Sequence, residues 1–206
     1  MVTKHILPIF LMMLACGNTE VKRAETLKDE PMTAFAKRLS DAAILLAKDK
    51  VTYDPTYFRI KYPNGDVPAD KGVCTDVVIR AYRKLGIDLQ QKVHEDMVKN
   101  FKKYPQNWKL SAPDTNIDHR RVPNLMTYFL RFGKVKPITN KAQDYQPGDL
   151  VTWNISGSMT HIGIVVNLKS DDNKRYLISH NMGAGQEIAD WLFAYKIIGH
   201  YVYEGK

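Results

Sequence analysis

The stretch that decides the fold runs from Asp149 to Asn181, DLVTWNISGSMTHIGIVVNLKSDDNKRYLISHN. Three segments in it repeat with a period of two: Asp149 to Ile155, His161 to Asn167 and Tyr176 to Asn181. That period is the mark of strands. Asn167 to Arg175 joins the last two as a hairpin, and Gly183-Ala184-Gly185 reads as a turn after them. The tail from Lys196 to Tyr203 (KIIGHYVY) reads as a fourth strand. Upstream the period is helical. Thr33 to Lys48 places Phe35, Leu39, Ala42, Ala43 and Leu46 on one face, and Cys74 to Leu85 does the same with Val77, Val78, Ala81, Tyr82 and Leu85, with Gly86 as its stop. Leu89 to Phe101 and Pro123 to Phe132 read as two more helices. Tyr57 to Tyr62 (YFRIKY) alternates like a short strand, and Tyr104 to Val122 is a long polar loop. Helices first and strands later is the order of an α+β fold with an antiparallel sheet, here one domain over residues 33–206.

The N-terminus carries an export signal rather than fold. Lys4 and His5 precede an apolar run from Ile6 to Ala15, which is too short for a bilayer span. The run ends Met13-Leu14-Ala15-Cys16-Gly17, which resembles the lipobox of bacterial lipoproteins. The resemblance implies a signal peptide over residues 1–15, a lipid on Cys16 and a tether over residues 16–32. With Gly17 after the cysteine, it also implies a place on the periplasmic face of the outer membrane. About 190 residues remain, enough for one domain with a sizeable core. The net charge of +8 and pI near 9.3 suit an anionic polymer or membrane surface as neighbour, or reflect lysines that are merely solvated, since they are spread along the chain. In an exported protein, nucleic acid is not the expected partner.

Cys74 is then the only cysteine in the domain, and an unpaired thiol in an exported protein is either buried and inert or kept for its reactivity. A thiol at a helix start gains free amides and the positive end of the helix dipole, both of which favour the thiolate. A cysteine nucleophile also needs a base and oxyanion donors. Of the six histidines, His161 opens one strand and His180 lies near the end of its hairpin partner. Pairing the two strands sets His161 opposite His180 or Asn181, depending on register. His94 reads as a solvated residue on a surface helix.

The order Cys74, Gly148-Asp149-Leu150-Val151, His161-Ile162-Gly163-Ile164-Val165, His180 resembles the NlpC-type cell-wall cysteine peptidases of the papain-like superfamily. The resemblance implies a papain-like domain with the nucleophile helix packed on the sheet. It implies Cys74 as nucleophile, His161 as base, His180 as orienter with Asn181 as the alternative, and Tyr62 on the oxyanion side. The implied partner is peptidoglycan or its peptide stems. Two departures stand out: Val-Cys-Thr-Asp replaces the usual Asp-Cys-Ser-Gly, and Asp88 to Gln146 is a longer insertion. A closer match covers nearly the whole domain. Gly65-Asp66-Val67-Pro68, Gly72-Val73-Cys74-Thr75-Asp76, Val93-His94-Glu95-Asp96-Met97, the run from Asn116 to Asn124 and Ile198-Gly199-His200-Tyr201 resemble a bacterial envelope family catalogued as a domain of unknown function.

The expected reaction is cleavage of a peptidoglycan amide bond. The alternatives are acyl or amide transfer with the same Cys-His pair, or wall binding without catalysis. His119, Arg120 and Arg121 lie in the long loop, where they could clamp a substrate carboxylate or serve as loop-anchoring salt bridges. Asp114 to Asp118 mimics a calcium loop but has His119 where glycine is required. No zinc spacing and no phosphate loop occur, so neither a metal nor a cofactor is expected.

Overall fold

The computed structural model of the chain describes Leu27 and residues 31–205. The expected signal peptide, Cys16 and most of the expected tether lie outside the described residues. Helix α1 (Ala34–Leu46) begins at Thr33, whose hydroxyl accepts from the Ala36 N–H at 3.0 Å. Helix α2 (Cys74–Lys84) ends before Gly86, which takes the φ of +80° that glycine tolerates best. Asp88 caps helix α3 (Leu89–Asn100) by accepting from the Gln90 N–H. Pro123 lies in the first turn of helix α4 (Val122–Phe132).

Two short strands, β1 (Thr52–Tyr53) and β2 (Lys71–Gly72), pair in parallel. The main sheet has six strands: β3 (Lys134–Val135), β4 (Leu150–Ser156), β5 (Met159–Lys169), β6 (Tyr176–Met182), β7 (Gly185–Ala189) and β8 (Lys196–Val202). Their spatial order is β3-β8-β4-β5-β6-β7, and every neighbouring pair is antiparallel. The fold is therefore α+β. Gly183 and Ala184 form the turn between β6 and β7.

The sheet is covered on both faces. On one, Ile162, Ile164 and Val166 pack against Leu39, Val78, Tyr82, Leu125 and Phe129 of the helices. On the other, Trp153, Val165 and Ile178 pack against Tyr145 and Leu192. Leu27, within the expected tether, joins this second cluster. Full burial of one such side chain contributes roughly 1.5–3 kcal/mol.

Residues 57–62 are not a strand. The alternation is present, since Phe58 and Ile60 are half-buried, but no neighbouring strand pairs with them. Side chains satisfy the backbone instead. Asn116 accepts from the Ile60 N–H at 2.9 Å, and Gln90 donates to the Lys61 carbonyl at 2.9 Å.

Candidate functional site

Cys74 is the first residue of α2 and is 7% exposed. The Asp76 carboxylate accepts from the Val73 N–H at 2.7 Å and secures the helix start. The Cys74 sulfur is approached by three backbone N–H groups, those of Ile162 on β5, Thr75 and Cys74 itself. The sequence predicts a thiol with lowered pKa, but burial wins. It pushes the thiol up to about 12, and Asp76 adds to the rise while the three amides oppose it. The resting sulfur is a protonated thiol seated among hydrogen-bond donors.

His161 and His180 form a pair. Ile164 faces Ser179 and Val165 faces Ile178, which sets His180 across from Gly163 rather than from His161. The two histidines are therefore diagonal neighbours on one face, with His161 Nε2 and His180 Nδ1 at 3.0 Å. Gly163 makes this possible, because a Cβ there would lie 2.5 Å from Ile178 Cγ2 and 3.4 Å from His180 Cβ. Trp191 packs on both rings, at centroid distances of 4.8 and 4.6 Å. Burial, with His180 adding, lowers His161 to about 3, and burial lowers His180 to about 4. Both rings are neutral at pH 7.

Strand alternation separates the thiol from this pair. Ile162 points to the helix side with Cys74. His161, one residue earlier, points to the other side and stands opposite Trp153. Among the described residues no hydrogen bond joins the Cys74 thiol to His161, and His161 Nδ1 has none at all. Asn181 lies on the Cys74 side, where its amide donates to the Gly72 carbonyl at 3.2 Å and its buried Oδ1 is unpartnered. His180 is thus the residue bonded to His161, and Asn181 braces the segment that leads into Cys74.

Tyr62 is not beside Cys74. It stands edge-on to His94 at 5.2 Å, and the nearby charges bearing on its hydroxyl are Glu95 and Asp88. Tyr53 is the tyrosine near enough for Cys74 and Arg120 to bear on its titration, with burial the larger cause of its raised pKa. The β1–β2 pairing delivers it, since Tyr53 faces Gly72 and Asp54 N–H bonds the Gly72 carbonyl at 3.0 Å. A two-residue parallel pair leaves no periodic signal in a sequence, so Tyr53 escapes a reading by pattern.

Residues 40–203 match a family described as a domain of unknown function, DUF1287. The chain belongs to this family. One relative is a protein of Escherichia coli (strain K12) called "Uncharacterized protein YijF", 49% identical over 165 residues that cover 80% of each chain. The DUF1287 match spans the Cys74 helix start, the His161–His180 pair and Tyr53.

In this DUF1287 chain the loop residues expected to clamp a carboxylate are occupied or shielded. Arg120 is buried and donates to Asp76 through Nε and Nη2, at 3.0 Å each, and to the Thr56 carbonyl through Nη1. It anchors the loop to α2 and is not a free clamp. His119 is also buried, which lowers its pKa to about 3, and its Nδ1 is unpartnered. The Arg121 guanidinium lies 4.0 Å over the Trp108 ring. His94 is not a solvated side chain, because its Nδ1 lies 3.3 Å from the buried Asp118 carboxylate. Among the described residues no group of three or more His, Cys, Asp or Glu side chains is placed to hold a metal ion, and no helix is long and apolar enough to cross a membrane.

Proposed function

We propose that this DUF1287 protein is a papain-like cysteine hydrolase that cleaves an amide bond in cell-wall peptidoglycan. One observation carries the reading. The His161–Ile162 peptide meets both halves of the chemistry, because its N–H faces the Cys74 sulfur and its histidine is held by His180 with Nδ1 unbonded. Cys74 attacks the carbonyl, forming the sulfur–carbon bond, and its proton passes to His161 Nδ1. The Cys74 N–H and Tyr53 receive the oxyanion. His161 then protonates the leaving amine as the carbon–nitrogen bond breaks, and water hydrolyses the thioester to a carboxylic acid. His161 must turn toward the thiol for this. His161 is buried against Trp153, Trp191 and His180, so this turn displaces those contacts.

The resemblance to NlpC-type peptidases supports the substrate class, and the charge of +8 suits an anionic wall. The proposed location is the cell envelope, through a lipid on Cys16. The bond lies within the peptide stem or between sugar and peptide. Transfer to an amine instead of water is favoured by the near exclusion of solvent from Cys74, and amine adducts among the products would reveal it. Wall binding without catalysis is favoured by the missing thiol–imidazole hydrogen bond. Mass analysis of purified peptidoglycan after incubation with wild type and Cys74→Ala decides among these. New fragments are expected with wild type alone. Unchanged material from both overturns the hydrolase reading on that substrate.

A further inference from the structure

The His161–His180 pair has a third member that sequence order does not reveal. In the proposed reaction His161 Nδ1 must offer a lone pair to the thiol, because Nε2 is already bonded to His180. A neutral imidazole carries one proton, so that proton must sit on Nε2 and be donated to His180 Nδ1. His180, also neutral, must then carry its own proton on Nε2. That nitrogen is buried and has no hydrogen-bond partner. A buried donor left unmade costs about 1–3 kcal/mol, so the productive tautomer needs an acceptor there.

Glu187 stands at that place. It is the residue directly opposite His180 in the β6–β7 ladder, and its Oε1 lies 3.8 Å from His180 Nε2. Its side chain is 48% exposed and has no other partner among the described residues, so a small rotation closes the gap to a hydrogen bond. The reverse tautomer is unfavourable on both ends. It would set the His180 Nε2 lone pair against a carboxylate, and once His161 turned toward Cys74 it would bring an Nδ1–H, not a lone pair, to the thiol. Among the described residues, the ionisable groups facing His180 are His161 from β5 and Glu187 from β7, and Trp191 is the other ring against it.

We infer that Glu187 is a positioning residue, which fixes the tautomers of His180 and His161 and offsets the positive charge that the pair takes up during the reaction. The inference rests on the hydrolase reading for its purpose but not for its test. Nitrogen NMR of the histidines in the full chain, without substrate, reads the tautomers directly. In wild type both rings should carry the proton on Nε2. In Glu187→Gln and Glu187→Ala the Nε2–H population of His180 should fall and the titration of the pair should move to lower pH, with Glu187→Asp restoring part of both. Identical tautomers and titration in all four proteins overturn the inference, whatever the activity. With peptidoglycan, Glu187→Gln should cut the cleavage rate about tenfold and shift the acid limb of its pH profile. If the tautomers respond while wild type cleaves nothing, the relay stands and the hydrolase reading falls.

Discussion

Gly163 faces His180 across the β5–β6 ladder, and the absent side chain lets the His180 ring reach diagonally to His161. A Cβ at this position would meet Ile178 Cγ2 at 2.5 Å and the Ser179 carbonyl at 3.1 Å. Gly163→Ala should therefore spread the two strands, cost about 1–3 kcal/mol as an overpacked core position, and break the histidine pair. Urea unfolding and the histidine NMR signals together check this. An unchanged pair in a protein of unchanged stability would refute it.

The Cys74 thiol should be unreactive at rest. With its pKa pushed up to about 12 by burial, alkylation by iodoacetamide at pH 7 should be roughly a hundredfold or more slower than in the urea-unfolded chain. The rate should still climb with pH above about 10, where an ordinary thiol has levelled off. Mass spectrometry follows the adduct. A rate that levels near neutral pH would mean a thiolate-stabilising site instead.

Acid should unfold this protein through its buried histidines. The pKa values of His161, His119 and His180 are lowered to about 3, 3 and 4 in the folded chain, while the unfolded value is about 6.5. A depressed folded value adds stability that is full above the unfolded pKa and is lost as pH falls through the folded one. Each histidine then removes about 1.4 kcal/mol per pH unit below about 6. Urea midpoints from pH 7 down to pH 4 measure the slope. His119→Gln should make it shallower, and an identical slope in that variant would count against the burial argument.

Arg120 should matter for folding rather than for substrate affinity. It and Asp76 are both buried, so Arg120→Met strands a carboxylate in the core and should cost about 3–5 kcal/mol. The double variant with Asp76→Asn should recover part of that loss. Wild-type stability in Arg120→Met, with weakened binding of peptidoglycan fragments, would restore the carboxylate clamp.

Period and turn chemistry made much of the fold legible. DLVTWNI, HIGIVVN and YLISHN are strands because alternation is local, and α2 ends at Gly86 because a positive φ is local too. The hairpin reading brought His161 and His180 to one face but not to their diagonal offset, which the ladder register sets. Other features depend on distant partners. Which face of β5 receives α2 decides whether Ile162 or His161 meets Cys74, and the identity of the covering helix is not written in the strand. The helix-start argument for Cys74 is a local field, whereas the desolvation that overrides it comes from the whole core. The loop-anchoring alternative for Arg120 holds, but its partner Asp76 is not legible in the sequence because it is far from Arg120 in the chain. Strand β7 leaves no signal, because Gln186-Glu187-Ile188-Ala189 is too short to show a period, and the place of Glu187 is illegible with it.

The covered position of Cys74 also bears on how long the protein lasts. Peroxides and disulfides react with thiolates, and only where they can reach the sulfur. A thiol that is 7% exposed and held protonated offers them neither the species nor the access. The Cys74 sulfur is therefore shielded from oxidation while the core around it stays closed.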